Sequence, residues 1–211
     1  MIGLLATSES LMAEEASGVR PLLSIQVSDL STRLPPKTHL LIDAPAIERF
    51  LRSVDGTPPD WATVYGLGRD DPAHDERLFK LNRERDARRE GNDVLRRRIA
   101  FVWDGELSAL DPETGGFRVA LGPRVTITSW GLVRFKYEDL PGNLIAVLTA
   151  NQQTLLLSKI QQGQLIEIDV VMTGTLIPDE SIVYDFSHEQ EGMGLIMPVI
   201  RVDEILYLLH P

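Results

Sequence analysis

The sequence predicts an α+β protein: a carboxy-terminal antiparallel β-barrel, OB-like and partly open, with one internal helix, preceded by a helical and irregular amino-terminal region. Two observations carry that reading. Apolar residues recur at helical spacing in the first half and switch to a period of two beyond Arg98, and a single capped helical segment interrupts the later run of strands. The division falls at residues 1–98 and 99–211.

In the first part, 22–27 (LLSIQV) reads as a short strand and the paired prolines at 35 and 36 exclude regular structure. HLLID at 39–43 reads as another strand. Asp43 is placed to cap a helix, Pro45 suits its first turn, and Ile47, Phe50, Leu51 and Val54 fall on one face before Gly56 ends it. A loop-rich connector containing Trp61 and Tyr65 follows. Its GLG at 66–68 lacks the third glycine and the strand-to-helix setting of a dinucleotide fingerprint, so it reads as a turn. Segment 75–90 (DERLFKLNRERDARRE) has opposite charges at helical spacing and little apolar surface beyond Leu78, Phe79 and Leu81, so most of this helix is expected in water, with Gly91 as its stop.

In the second part, Phe101, Trp103 and Leu107 share one face; Phe117, Val119 and Leu121 alternate with polar or small residues, as do Val125 with Ile127 and Val133 with Phe135 and Tyr137. LIAVL at 144–148 reads as one more strand. Thr149 and Gln152 have capping-box spacing, Leu156 and Ile160 form an i, i+4 pair, and Gly163 closes the helix. Ile166, Ile168, Val170 and Met172 then alternate with Glu167, Asp169, Val171 and Thr173, and the strands 181–186 and 195–209 complete the chain, the last interrupted by Pro198. The pattern is that of an antiparallel sheet with one wet face.

Strands, one helix and more strands over 99–211 is an order similar to that of oligonucleotide- and oligosaccharide-binding (OB) barrels. The resemblance implies ligand contact on the second and third strands and the adjoining loops, which here means Arg118, Trp130, Arg134, Lys136 and Tyr137, with His188 added if it lines the same surface. The chain also resembles a bacterial protein family that implies no function for it.

Composition narrows the classes. The 211 residues suit one generous domain or a core with an appendage, and 43% hydrophobic with 25% charged residues indicates a folded chain. A formal charge of -10 opposes nonspecific attraction to phosphate backbones and anionic lipid. Only residues 66–98 are net basic, with ten cationic against eight acidic side chains; 99–211 carry six against fifteen. The absence of cysteine excludes disulfides, thiolate metal sites and cysteine nucleophiles. No apolar run is long enough for a membrane span. The first residues form no complete signal peptide, yet their Ala and Ser content fits the remnant of one beginning upstream, so cytoplasm and periplasm both stay open.

Two clusters are candidates for chemistry or contact. YDFSHEQEGMG at 184–194 gathers Asp185, His188, Glu189 and Glu191, but the place of a zincin's second histidine is Gly192, and glycines with strands on both sides read as a connecting loop. A metal-dependent hydrolase built on Asp185, His188 and Glu191 is the alternative. Ser187 lacks a nucleophile-elbow context. His39, His74 and His210 are scattered, and His74 beside Asp75 and Glu76 marks a helix start. The arginines of the charged helix, Arg85, Arg88 and Arg89 above all, suit a protein partner better than nucleic acid given the sign of the whole chain. The preferred expectation is therefore a non-catalytic binding or interaction module without cofactor, with metal-dependent hydrolysis and single-stranded nucleic-acid binding as alternatives.

Overall fold

The computed structural model describes residues 18–68, 71–190 and 192–209. The stretch read for a signal remnant, Glu191 and His210 lie outside them. In chain order the strands are β1 (Val19–Leu23), β2 (His39–Leu40), β3 (Arg98–Leu110), β4 (Phe117–Gly122), β5 (Thr126–Thr128), β6 (Gly131–Val133), β7 (Lys136–Glu138), β8 (Ile145–Val147), β9 (Ile166–Leu176), β10 (Ile182–Phe186) and β11 (Gly194–Leu209). The helices are α1 (Ala44–Asp55), α2 (Trp61–Tyr65), α3 (His74–Arg89) and α4 (Ala150–Gln161).

Five strands pair antiparallel in the order β8–β4–β3–β9–β11. Four antiparallel steps leave the first and last strands running the same way, so whatever closes the ring must be parallel to both or antiparallel to both. β1 is parallel to both: Val19–Pro21 lie beside Ile145–Val147, and Leu22 and Leu23 beside Tyr207 and Leu208. The result corrects the expected partly open antiparallel barrel to a closed, six-stranded, mixed one. Its sealing strand comes from the first 98 residues and starts three residues before the predicted 22–27, running through Pro21, which lacks a ladder N–H.

The barrel is filled rather than hollow. Phe101, Trp103, Leu107, Phe117, Ile168, Val170, Met172, Ile205 and Tyr207 are buried in one cluster, and Gly105 stands where a Cβ would lie 2.5 Å from Val170 Cγ2. α4 has the predicted capping box, and its Leu156 joins this core. The Gln152 amide also reaches Leu22 O at 3.1 Å and Ser24 Oγ at 2.9 Å, tying α4 to the end of β1.

The expected wet face is only partly wet. Ala100, Val102, Val171 and Leu208 point outward from the barrel core, and residues 23–42 strap across them with Leu30 fully buried at the centre. Further along the same strands the outer face is acidic: exposed Asp104 pairs across from buried Asp169, and Glu106 from exposed Glu167.

β11 is the spine of the molecule. Its second half belongs to the barrel, while its first half pairs with β10 on one side and with β6 on the other, β5 lying beyond β6. Pro198 does not interrupt it. The residue sits at the junction where the β10 ladder ends, opposite Ile182, just before β9 takes over at Ile200. α1 covers this smaller sheet with the predicted residues Ile47, Phe50, Leu51 and Val54, capped by Asp43 on Ala46 N at 2.7 Å.

Candidate functional site

β10 has one strand neighbour, β11, so its other edge presents backbone groups that need partners. α3 supplies them. The Asn82 side-chain amide accepts from Tyr184 N–H at 2.9 Å and donates to Tyr184 O at 2.8 Å, imitating a neighbouring peptide, and Arg89 Nη1 donates to Ile182 O at 2.7 Å. Asn82→Leu is expected to leave both Tyr184 groups unpaired, destabilising by about 1–3 kcal/mol and speeding hydrogen exchange at the Tyr184 amide. Unchanged protection there would show that Asn82 does not seal the edge.

Beneath α3 lies a buried polar cluster. Arg89 Nε and Nη2 each donate at 2.7 Å to the two carboxylate oxygens of Asp55, the last residue of α1, and Arg85 Nη1 donates to Asp55 O at 2.8 Å. The Tyr184 hydroxyl donates to the same carboxylate, and both guanidinium groups stand over its ring, at 5.6 and 5.4 Å from the centroid. Burial, then the Asp55 charge and hydrogen bond, push the Tyr184 phenol well above its ordinary value, so it stays a donor. Burial works to lower the Arg89 pKa, and the bond and charge of Asp55 outweigh it and raise the value.

The proposed partner patch of Arg85, Arg88 and Arg89 is thereby divided. Arg85 and Arg89 are 4% and 2% exposed and spent inside the chain, whereas Arg88 is outside, 4.0 Å from Glu84. The cause is spacing: 85 and 89 fall within the inward stripe of His74, Leu78 and Asn82, and 88 falls at its margin. What remains outside is a shallow hollow of about 490 Å³ lined by Glu76, Phe79, Lys80, Arg83, Glu84 and Ala87. Phe79 is 61% exposed there, and the Arg83 guanidinium stands 5.4 Å from its ring centroid.

The 184–194 corner is built as a connector. Ser187 Oγ accepts from Glu189 N–H and Gln190 N–H, both at 3.1 Å, Ser187 N–H donates to Met193 O at 3.0 Å, and the Asp185 carboxylate accepts from its neighbour Phe186 N–H at 2.8 Å. His188 is exposed. Among the described residues no three His, Asp or Glu side chains are grouped to hold a metal ion.

α2, a helix hidden in the loop-rich connector, clamps this corner. Asp60 caps it on Thr63 N–H at 3.1 Å, and Arg77 donates to the carbonyls of Val64 and Tyr65 at 3.0 and 3.1 Å. The same Arg77 holds the Asp71 carboxyl down at about 2 through a 2.8 Å hydrogen bond. From α2, the Tyr65 hydroxyl donates to Met193 O and Trp61 Nε1 to Trp130 O, each at 2.6 Å. The Trp61 ring occupies the space a Cβ on Gly194 would need, 1.8 Å away, and His74 stacks on Phe186 at 3.6 Å.

The residues drawn from the barrel analogy are placed apart. Arg118 and Tyr137 share a hollow of about 580 Å³, where Arg118 is 3.6 Å from Asp111. Trp130 is 1% exposed and offers no face on which a base could stack. Arg134 is half-buried, its Nη2 3.7 Å from Met197 Sδ, and Lys136 is exposed. On the acidic face, Arg124 lies 3.3 Å from Asp169 and 3.8 Å from Asp104, offsetting carboxylates that would otherwise repel across the strands.

Fold and contacts together define a closed mixed barrel extended by a small sheet whose free edge is sealed by a polar helix. No protein-family model, curated protein or solved structure matches the chain.

Proposed function

We propose that the chain is a non-catalytic protein-interaction module whose contact surface is the outer face of α3. The observation that supports this most is Phe79, an exposed aromatic with Arg83 beside it, on a helix fixed from behind by buried bonds through Asn82, Arg85 and Arg89. Aromatic and arginine side chains are the usual energetic anchors of interfaces, and a rigid support lowers the ordering penalty of binding.

The alternatives draw less support. Asp185 spends one carboxylate oxygen on Phe186 N–H, which weakens a metal-dependent hydrolase at this corner. The finer likeness to an OB barrel rests on element order and on α4 between β8 and β9; the six-stranded ring has one strand more than that fold, and the buried Trp130 and acidic outer face favour no nucleic-acid strand.

A photo-crosslinking residue installed at Phe79 tests the proposal against one at Leu155, an exposed apolar position on α4. Discrete protein adducts are expected from position 79 and not from 155. Absence of any adduct at 79 would remove the proposal.

A further inference from the structure

We infer that the partner of α3 is a second copy of this chain, joined through an antiparallel pairing of the two α3 helices; this rests on the outer face of α3 being the interaction surface. The argument is one of charge order. Glu76, Lys80, Glu84 and Arg88 lie four residues apart, hence in one row, and all four are exposed, with Lys80 3.9 Å and Arg88 4.0 Å from Glu84.

The signs along this row run minus, plus, minus, plus. Reversed, they run plus, minus, plus, minus, so the row is complementary to itself when a two-fold axis passes midway between Lys80 and Glu84: Glu76 meets Arg88 of the second copy and Lys80 meets Glu84, each contact made twice. In a parallel two-fold pairing like would meet like, which fixes the orientation. Rows of this four-residue spacing are also the ridges that pack helix on helix most commonly. Among the described residues, the contacts on this face are the surface pairs just named and Arg83 over the Phe79 ring. The net charge of -10 per chain opposes association at long range, so the pairing is favoured near physiological ionic strength, where screening reaches about 8 Å.

Sedimentation equilibrium of the full chain and of two charge reversals decides the matter. The wild type is expected to dimerise. Lys80→Glu makes positions 76, 80 and 84 all acidic, Glu84→Lys makes 80, 84 and 88 all basic, and each alone should weaken self-association about tenfold or more. Mixing the two variants restores opposite signs at every position, so the mixture should associate more tightly than either component alone. That rescue separates pairing from a loss of helix stability, which mixing would not repair. A wild type that stays monomeric, single reversals that dimerise as well as the wild type, or a mixture that fails to associate would each overturn the inference. A monomeric wild type whose position 79 still cross-links to a different protein would overturn this pairing alone and leave the interaction reading standing.

Discussion

Asp55→Ala is expected to lower the unfolding free energy by about 3 kcal/mol, because it removes the bidentate buried carboxylate of the Arg89 guanidinium, 2% exposed, and leaves it only the outlying Asp86 at 2.9 Å. Deleting the acid also removes the acceptor of the buried Tyr184 hydroxyl. For a chain of this length the loss corresponds to a melting temperature lower by roughly 10 °C. Replacing both partners by apolar residues, Asp55→Leu with Arg89→Met, should recover much of the deficit, since the buried pair is then removed together rather than broken. Arg88→Ala, on the solvent side, is the control and should stay within about 0.5 kcal/mol. Urea denaturation of the three variants provides the measurement. A cost for Asp55→Ala as small as the control's would mean the cluster is more hydrated than its burial implies.

Gly174→Ala should be comparably damaging for a steric reason. Gly174 lies in β9 between Ile99 of β3 and Val202 of β11, and a Cβ there would sit 2.0 Å from the backbone oxygen of Arg201. The obstacle is main chain held by ladders on either side, next to the irregularity between Val202 and Glu204, so it has little freedom to retreat. We expect a loss of about 3 kcal/mol or more, or failure to accumulate as soluble protein. Gly122→Ala, where the nearest atom to a Cβ is 3.8 Å away, should behave as wild type. Equal stability of the two variants would show that β9 and β11 separate more easily than their pairing suggests.

The sequence made the barrel's inner face and both amphipathic helices legible because apolar periodicity reports burial directly. Ile47, Phe50, Leu51 and Val54 pack as read, and so do Ile166, Ile168, Val170 and Met172. Periodicity is silent about polar burial, and that is where the reading of α3 fell short. Asn82, Arg85 and Arg89 face inward because the edge of β10 and the Asp55 carboxylate need donors and acceptors rather than methyl groups. Asp55 itself, at the end of α1, looks like any polar helix terminus. Trp61 and Tyr65 were visible as aromatics in a connector, but their helix is only five residues long and is held by Arg77, twelve or more positions downstream. The sealing role of β1 was equally hidden, since Arg20 and Pro21 give it a weak strand signature and its partners lie over a hundred residues away.

β1 is stitched between residues 145–147 and 207–208. During synthesis the earliest strand therefore emerges long before either of its neighbours, and the ring stays unsealed until 207–208 have left the ribosome. A nascent chain halted before that point holds an unzipped seam, so closure of the ring is a late, long-range step whose open intermediate exposes unpaired strand edges.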